Sequence, residues 1–142
     1  STKSHVAVDP SGHLRSVVVT PGQAGENPRL LDVLDATGTR VCRVVADKAY
    51  SHPSTRAALR RRRVRVTIPE RDDQIARRKA KGSIGGRPPD FDPAIYKGRN
   101  VVERFFNRIK EFRAIATRYD KHARNYRAGI VLAGIITLLR DQ

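Results

Sequence analysis

Residues 96–110, YKGRNVVERFFNRIK, set a single glutamate among basic and apolar residues of a strongly basic chain. At roughly 100° per residue, Tyr96, Arg99, Glu103, Asn107 and Lys110 fall within an arc of about 80°, because spacings of three and four return to one helical face. Val101, Val102, Phe105, Phe106, Ile109 and Phe112 occupy the remaining sector, which suits packing on a sheet. The pattern predicts one helix from near Asp92-Pro93 to about Phe112, apolar toward a core and polar toward a cleft. Periodicity alone also fits a plain solvated face, with Arg99 and Glu103 pairing at i, i+4 for roughly 0.3–0.5 kcal/mol.

Working outward, residues 3–9 (KSHVAVD) and 14–20 (LRSVVVT) are β-rich runs joined by Asp9-Pro10-Ser11-Gly12, the residue order of a type I turn. They predict a β-hairpin. Asn27 is a candidate cap for a helix with Pro28 at its first position, carrying Leu30, Leu31 and Leu34 and ending near Gly38. Residues 41–46 (VCRVVA) read as a strand buried on both faces, with Cys42 a small core residue and Asp47 just past its end. A helix beginning near Pro53 runs into Arg60, Arg61, Arg62 and Arg63, and VRVTI follows as a strand stopped by Pro69. The four arginines fit equally an exposed helix terminus and a contact to a DNA backbone. Residues 70–92 carry RRKAK, three glycines and two prolines without apolar periodicity, and read as a mobile basic loop. A last helix, from near His122 to Arg140, contains the apolar run GIVLAGIITLL and reads as buried. The alternation of elements is α/β in a single domain of 142 residues.

The totals narrow the partners. A net charge of +15, from 29 Lys+Arg against 14 Asp+Glu, favours a polyanion, nucleic acid before an anionic membrane surface. The apolar run at 129–139 is shorter than the roughly 18–20 residues of a membrane span. One cysteine excludes a disulfide framework and a thiolate zinc cluster, and fits a reducing, cytoplasmic setting. His5, His13, His52 and His122 lack zinc-ligand spacing. Asp32, Asp35, Glu70, Asp72 and Asp73 fit solvated or capping roles. The chain opens on Ser1 and contains no methionine, so it is expected to be part of something longer.

The spacing Y-x2-R-x3-E-x6-K, together with the order of STKSHVAVD, VVVTPGQA, VVADKAYSHP and FRAIATRYDKHARNYRAGIVLAGIITLLR around it, resembles the DDE transposases of bacterial insertion sequences, in the families numbered four and five. The resemblance covers nearly the whole chain. It implies a ribonuclease H-like catalytic core lacking its first strand, with C-terminal helices. It further implies that Asp47 and Glu103 are the second and third catalytic, metal-binding carboxylates, and that Tyr96, Arg99 and Lys110 contact or position the DNA end, with Asn107 on the same stripe. Strand cleavage and strand transfer require a water or 3′-hydroxyl nucleophile, in-line displacement and stabilisation of a leaving oxyanion. Two Mg2+ ions about 3.5–4 Å apart supply all three, held by hard oxygen ligands.

The implied first aspartate would lie ahead of the opening strand. Asp9, the acid of the opening strands, is accounted for by its turn. The expectation is therefore DNA transposition by the complete protein, with this chain inactive alone and prone to aggregate through exposed strand edges. The implied partners are DNA, further copies of the chain or an upstream transposase part, with no membrane, in a bacterial, nucleoid-associated setting. The alternative is a non-catalytic DNA-binding regulator, or a remnant, that competes with intact transposase.

Overall fold

The computed structural model describes residues 2–112 and 123–142. The chain divides into two compact units, residues 1–39 with 100–142, and residues 40–99.

The first unit is built on the predicted hairpin. Strands β1 (Thr2–Val8) and β2 (Leu14–Pro21) pair antiparallel, with a register shift between Ala7 and Val8. Asp9 closes the turn: its carbonyl accepts from Gly12 N–H at 2.8 Å, and Oδ1 accepts from the backbone N–H of Ser11 and of His13, each at 3.0 Å. Gly12 takes φ +87°, a conformation glycine adopts without the Cβ clash other residues meet. Helix α1 (Arg29–Ala36) covers one face of the hairpin, where Ser16 donates to the Val33 carbonyl at 2.7 Å. Pro28 flanks this helix rather than opening it, so the expected Asn27 cap gives way to a start at Arg29, where a proline supplies no cap oxygen. On this side His5 is buried, its Nε2 2.9 Å from the Thr20 hydroxyl. Burial holds the imidazole below its ordinary range.

The opposite face of the hairpin carries the apolar core. Val17 packs with Phe105 and Ile109 of α5 (Asn100–Ile109) and with Tyr126, Ile130 and Ala133 of α6 (Ala123–Arg140). Alternation along β2 puts Val17 and Val19 toward this core and Ser16 and Thr20 toward α1. Gly134 lets α6 approach the hairpin, since a Cβ there would stand 2.9 Å from Leu14 Cδ2. The C-terminal end of α6 is tied down by Asp141, which takes a two-pronged pair from Arg108, both bonds 2.9 Å, and lies 2.9 Å from His13 Nε2. The segment 113–122, including the expected helix start at His122, lies outside the described residues.

The bond from Arg108, reinforced by His13, lowers the Asp141 carboxyl from 3.8 to about 2. Its folded value lies below its unfolded one, so the stabilisation is complete above about pH 4 and is lost as pH falls toward 2. Melting temperatures of the wild type and Asp141→Asn should differ at neutral pH and converge in that acid window. A gap that persists unchanged to pH 2 would refute this linkage.

The second unit is a β-α-β element. Strands β3 (Arg43–Val45) and β4 (Arg65–Thr67) pair in parallel, Val44 opposite Val66, and are connected through α2 (Pro53–Arg61). His52 caps α2 by accepting from Ser54 N–H, and Pro53 fits its first turn. Leu59, Val64, Thr67 and Ile68 are buried here. Arg63 takes φ +57° where α2 ends, the position glycine usually fills.

Three expectations are corrected in this unit. Residues 41–46 do not form a strand buried on both faces: only Val44 is buried, and Cys42 is exposed. The reason is that β3 spans three residues in a two-stranded sheet, which leaves it little cover. Nor is 70–92 an unstructured basic loop. Helix α3 (Asp72–Ala80) forms with Gln74 accepting from Arg71 N–H at 3.1 Å, two aspartates in its first turn and cations in its last, which complements the helix dipole. It is anchored by Gln74 donating to the Ser51 carbonyl and by Arg78 paired to Glu70 at 3.0 Å. Lastly, the single helix expected from 92 to 112 is interrupted. Helix α4 (Pro93–Tyr96), capped by Asp92, passes into a 3-10 turn (Lys97–Arg99) before α5 begins. Gly98 lies in that turn, where its poor helix propensity favours the break.

A correction also applies to α6. The run at 129–139 is buried on one side only, and Leu132, Ile135, Leu138 and Leu139 are exposed on the other. The helix is apolar around its circumference and covers the hairpin with one face.

Candidate active site

Asp47 stands two residues past the last residue of β3, beyond the carboxyl end of a parallel strand, where open α/β sheets present their ligands. Its backbone is extended, and Oδ1 accepts from Ala49 N–H at 2.8 Å, capping a 3-10 turn (Lys48–Tyr50). This bond fixes the carboxylate while leaving Oδ2 outside the cap. The residue is half-buried, and among the described residues it makes no ion pair.

Glu103 stands in the first turn of α5, on its exposed side, with Asn107 one turn along and Lys110 just beyond the end of the helix. Phe105 and Ile109, buried on the other side, orient this polar row. The Lys110 N–H still donates to the Phe106 carbonyl at 3.1 Å, so the spacing of the row is helical throughout. The expected stripe therefore holds from Glu103 to Lys110.

Tyr96 ends α4 and Arg99 ends the 3-10 turn of the break, both in the second unit. They form a cluster of their own: the Arg99 guanidinium lies 5.6 Å from the Tyr96 ring centroid, and Phe91 meets the same ring at 5.2 Å, tilted by 55°. A guanidinium held near an aromatic face is a group of the kind that binds phosphate. Asp47 shares this unit, whereas Glu103, Asn107 and Lys110 lie in the first.

Arg60, Arg61, Arg62 and Arg63 are all exposed at the end of α2. Several other acids have local employment. Asp9 accepts from its own turn and from Arg15 at 3.0 Å; Asp32 pairs with Arg29, Asp73 with Arg77 and Glu70 with Arg78. The described histidines likewise serve structure: His5 bonds Thr20, His13 faces Asp9 and Asp141, and His52 caps α2; His122 lies outside the described residues. Sequence reasoning missed the aromatic partner Phe91. Its separation of five residues from Tyr96 belongs to no helical face, and the signal was only its place beside the capping pair Asp92-Pro93.

These features occur in a chain that matches the transposase DDE domain family over residues 1–138. The chain belongs to that family, and its role lies in DNA transposition. Over 140 residues it is 31% identical to a protein described as a putative transposase for insertion sequence element IS6501, from Brucella ovis, with 99% of each chain covered. No solved structure matches it at a significant level.

Proposed function

We propose that this chain supplies the second and third carboxylates, Asp47 and Glu103, of a metal-dependent DNA strand-cleaving and strand-transferring site of the family-four and family-five, Y-R-E-K type, on a ribonuclease H-like core. Two local observations support the reading: Asp47 is fixed at a strand end by the Ala49 N–H, and Glu103, Asn107 and Lys110 form one exposed row on α5. Asp47 and Glu103 present hard carboxylate oxygens, a donor chemistry that fits Mg2+. When bound, the metal activates the attacking oxygen and neutralises charge on the phosphate and the leaving group. The chain's own residues do the rest. Tyr96 presents Arg99 to the DNA backbone, Lys110 and the four arginines at the end of α2 neutralise phosphates, and Asn107 hydrogen-bonds to the strand beside Glu103.

Asp9 is a poor candidate for the first carboxylate of the triad, because its oxygens already serve the turn and Arg15. With Asp9 so engaged, this chain is inferred to bind DNA without cutting it. A Mg2+-dependent cleavage assay on the chain tests this. No cutting is expected; robust cutting that is lost on Glu103→Ala would defeat the inactivity. The competing reading is a DNA-binding regulator of intact transposase, for which the charge of +15 is the support. It predicts binding that falls steeply with salt and is indifferent to Mg2+ and to Asp47→Ala.

The assembly is proposed to contain more than one copy. Exposed Ala128, Leu132, Ile135 and Leu139 repeat at spacings of four, three and four along α6, the seam that two helices share in a coiled coil. Leu132→Glu with Leu139→Glu should convert the chain to monomer in sedimentation, with the helical circular dichroism retained. An unchanged sedimentation coefficient would remove this seam from the assembly.

A further inference from the structure

Ile84 is 89% exposed, the most exposed large apolar residue among those described. It does not sit on a slack loop. The 3-10 turn that carries it (Gly82–Gly85) folds back on the end of α3, so closely that a Cβ at Gly85 would stand 2.1 Å from the Arg78 carbonyl oxygen. Gly82 and Gly86, at φ +60° and +76°, bend the chain into and out of the turn. Arg78 itself is secured by Glu70 at 3.0 Å. The result is an isoleucine held outward on a braced turn.

Its surroundings are cationic. Lys79, Lys81 and Arg87 are exposed on either side, Arg77 is paired to Asp73, and residues 77–87 contain no acid. An apolar tip in water is unfavourable, and nothing within this turn covers it. A second copy would bring the same cations against these and be repelled. Duplex DNA instead offers phosphates to the flanking cations and, between them, base steps into which an apolar side chain can wedge.

We propose that Ile84 is a DNA wedge: the cations around it seat the 77–87 turn on the phosphates, and the side chain enters and unstacks a base step. This rests on the DNA-binding reading above and adds a distortion of the DNA that phosphate contacts alone would not produce. By opening one step, the wedge would bend the duplex and hold it in register.

The test titrates the full chain, at low salt, into short duplexes that carry 2-aminopurine at successive positions. Wild type should raise the fluorescence at a defined step. Ile84→Ser should lose that rise and about ten-fold in affinity with an unchanged salt slope, and Ile84→Phe should restore it. Lys81→Ala should keep the rise at saturation while lowering the salt slope by about one. Wild-type binding without any rise, or a rise that survives in Ile84→Ser, overturns the wedge and leaves the DNA-binding reading standing. Absence of DNA binding by the wild type overturns both. Ile84 has no packing to lose, so a variant that melts with the wild type reports on DNA and not on folding.

Discussion

If the proposed roles hold, Asp47→Asn and Glu103→Gln should each lower Mg2+-dependent strand cleavage by a cleavage-competent transposase containing this chain at least about a thousand-fold, with DNA affinity changed by no more than a few-fold. Both substitutions keep shape and remove the charge that a divalent ion needs. Asn at position 47 still has an oxygen able to accept from the Ala49 N–H, since asparagine caps as well as aspartate. Gln at 103 stays on the exposed side of α5, where it disturbs no core contact. The loss would thus be chemical and not structural. Alanine at 47 is the weaker experiment, because it also removes a cap worth about 1 kcal/mol. Cleavage retained within ten-fold in either conservative variant would take that carboxylate out of the site.

The second large effect is on stability. Phe105→Ala should destabilise the first unit by about 3–5 kcal/mol, because the ring is 1% exposed and lies among Val17, Ile109, Tyr126, Ile130 and Ala133. An alanine there leaves a void that a hairpin and two helices cannot easily close. Phe106, edge-on to Phe105 at 5.9 Å and only half-buried, serves as the comparison. Its truncation should cost clearly less in urea denaturation followed by circular dichroism. Equal costs for the two would mean that the core is not centred on Phe105.

The parts legible in the sequence are those where local chemistry and tertiary packing agree. Asp9-Pro10-Ser11-Gly12 announced its turn because the carboxylate, the ring and the missing Cβ each meet a local demand. Pro53 announced the start of α2 in the same way, and the Glu103 to Lys110 row followed from helical spacing. Where packing or the solvent decided, the sequence was a poorer guide. The 3-10 turn at 97–99 interrupts a periodicity that runs through it, with Gly98 the one local hint. Helix α3 has almost no apolar face to show a period and depends on end charges, the Glu70–Arg78 pair and the Ser51 carbonyl. Helix α6 failed the opposite way: apolar residues on all sides signal burial but do not reveal which side is covered.

Ten residues of α5 carry both Glu103 and two fully buried side chains, Phe105 and Ile109. Mutations that loosen Phe105 or Ile109 would therefore shift the acid before they unfold the protein, since active groups tolerate displacements of well under an ångström. On the proposed role of Glu103, an insertion element with a mild lesion of this kind would lose mobility before it lost its protein, and warming would reveal the defect first. Heat-sensitive mobility in a host culture would then be an index of how this one helix is seated.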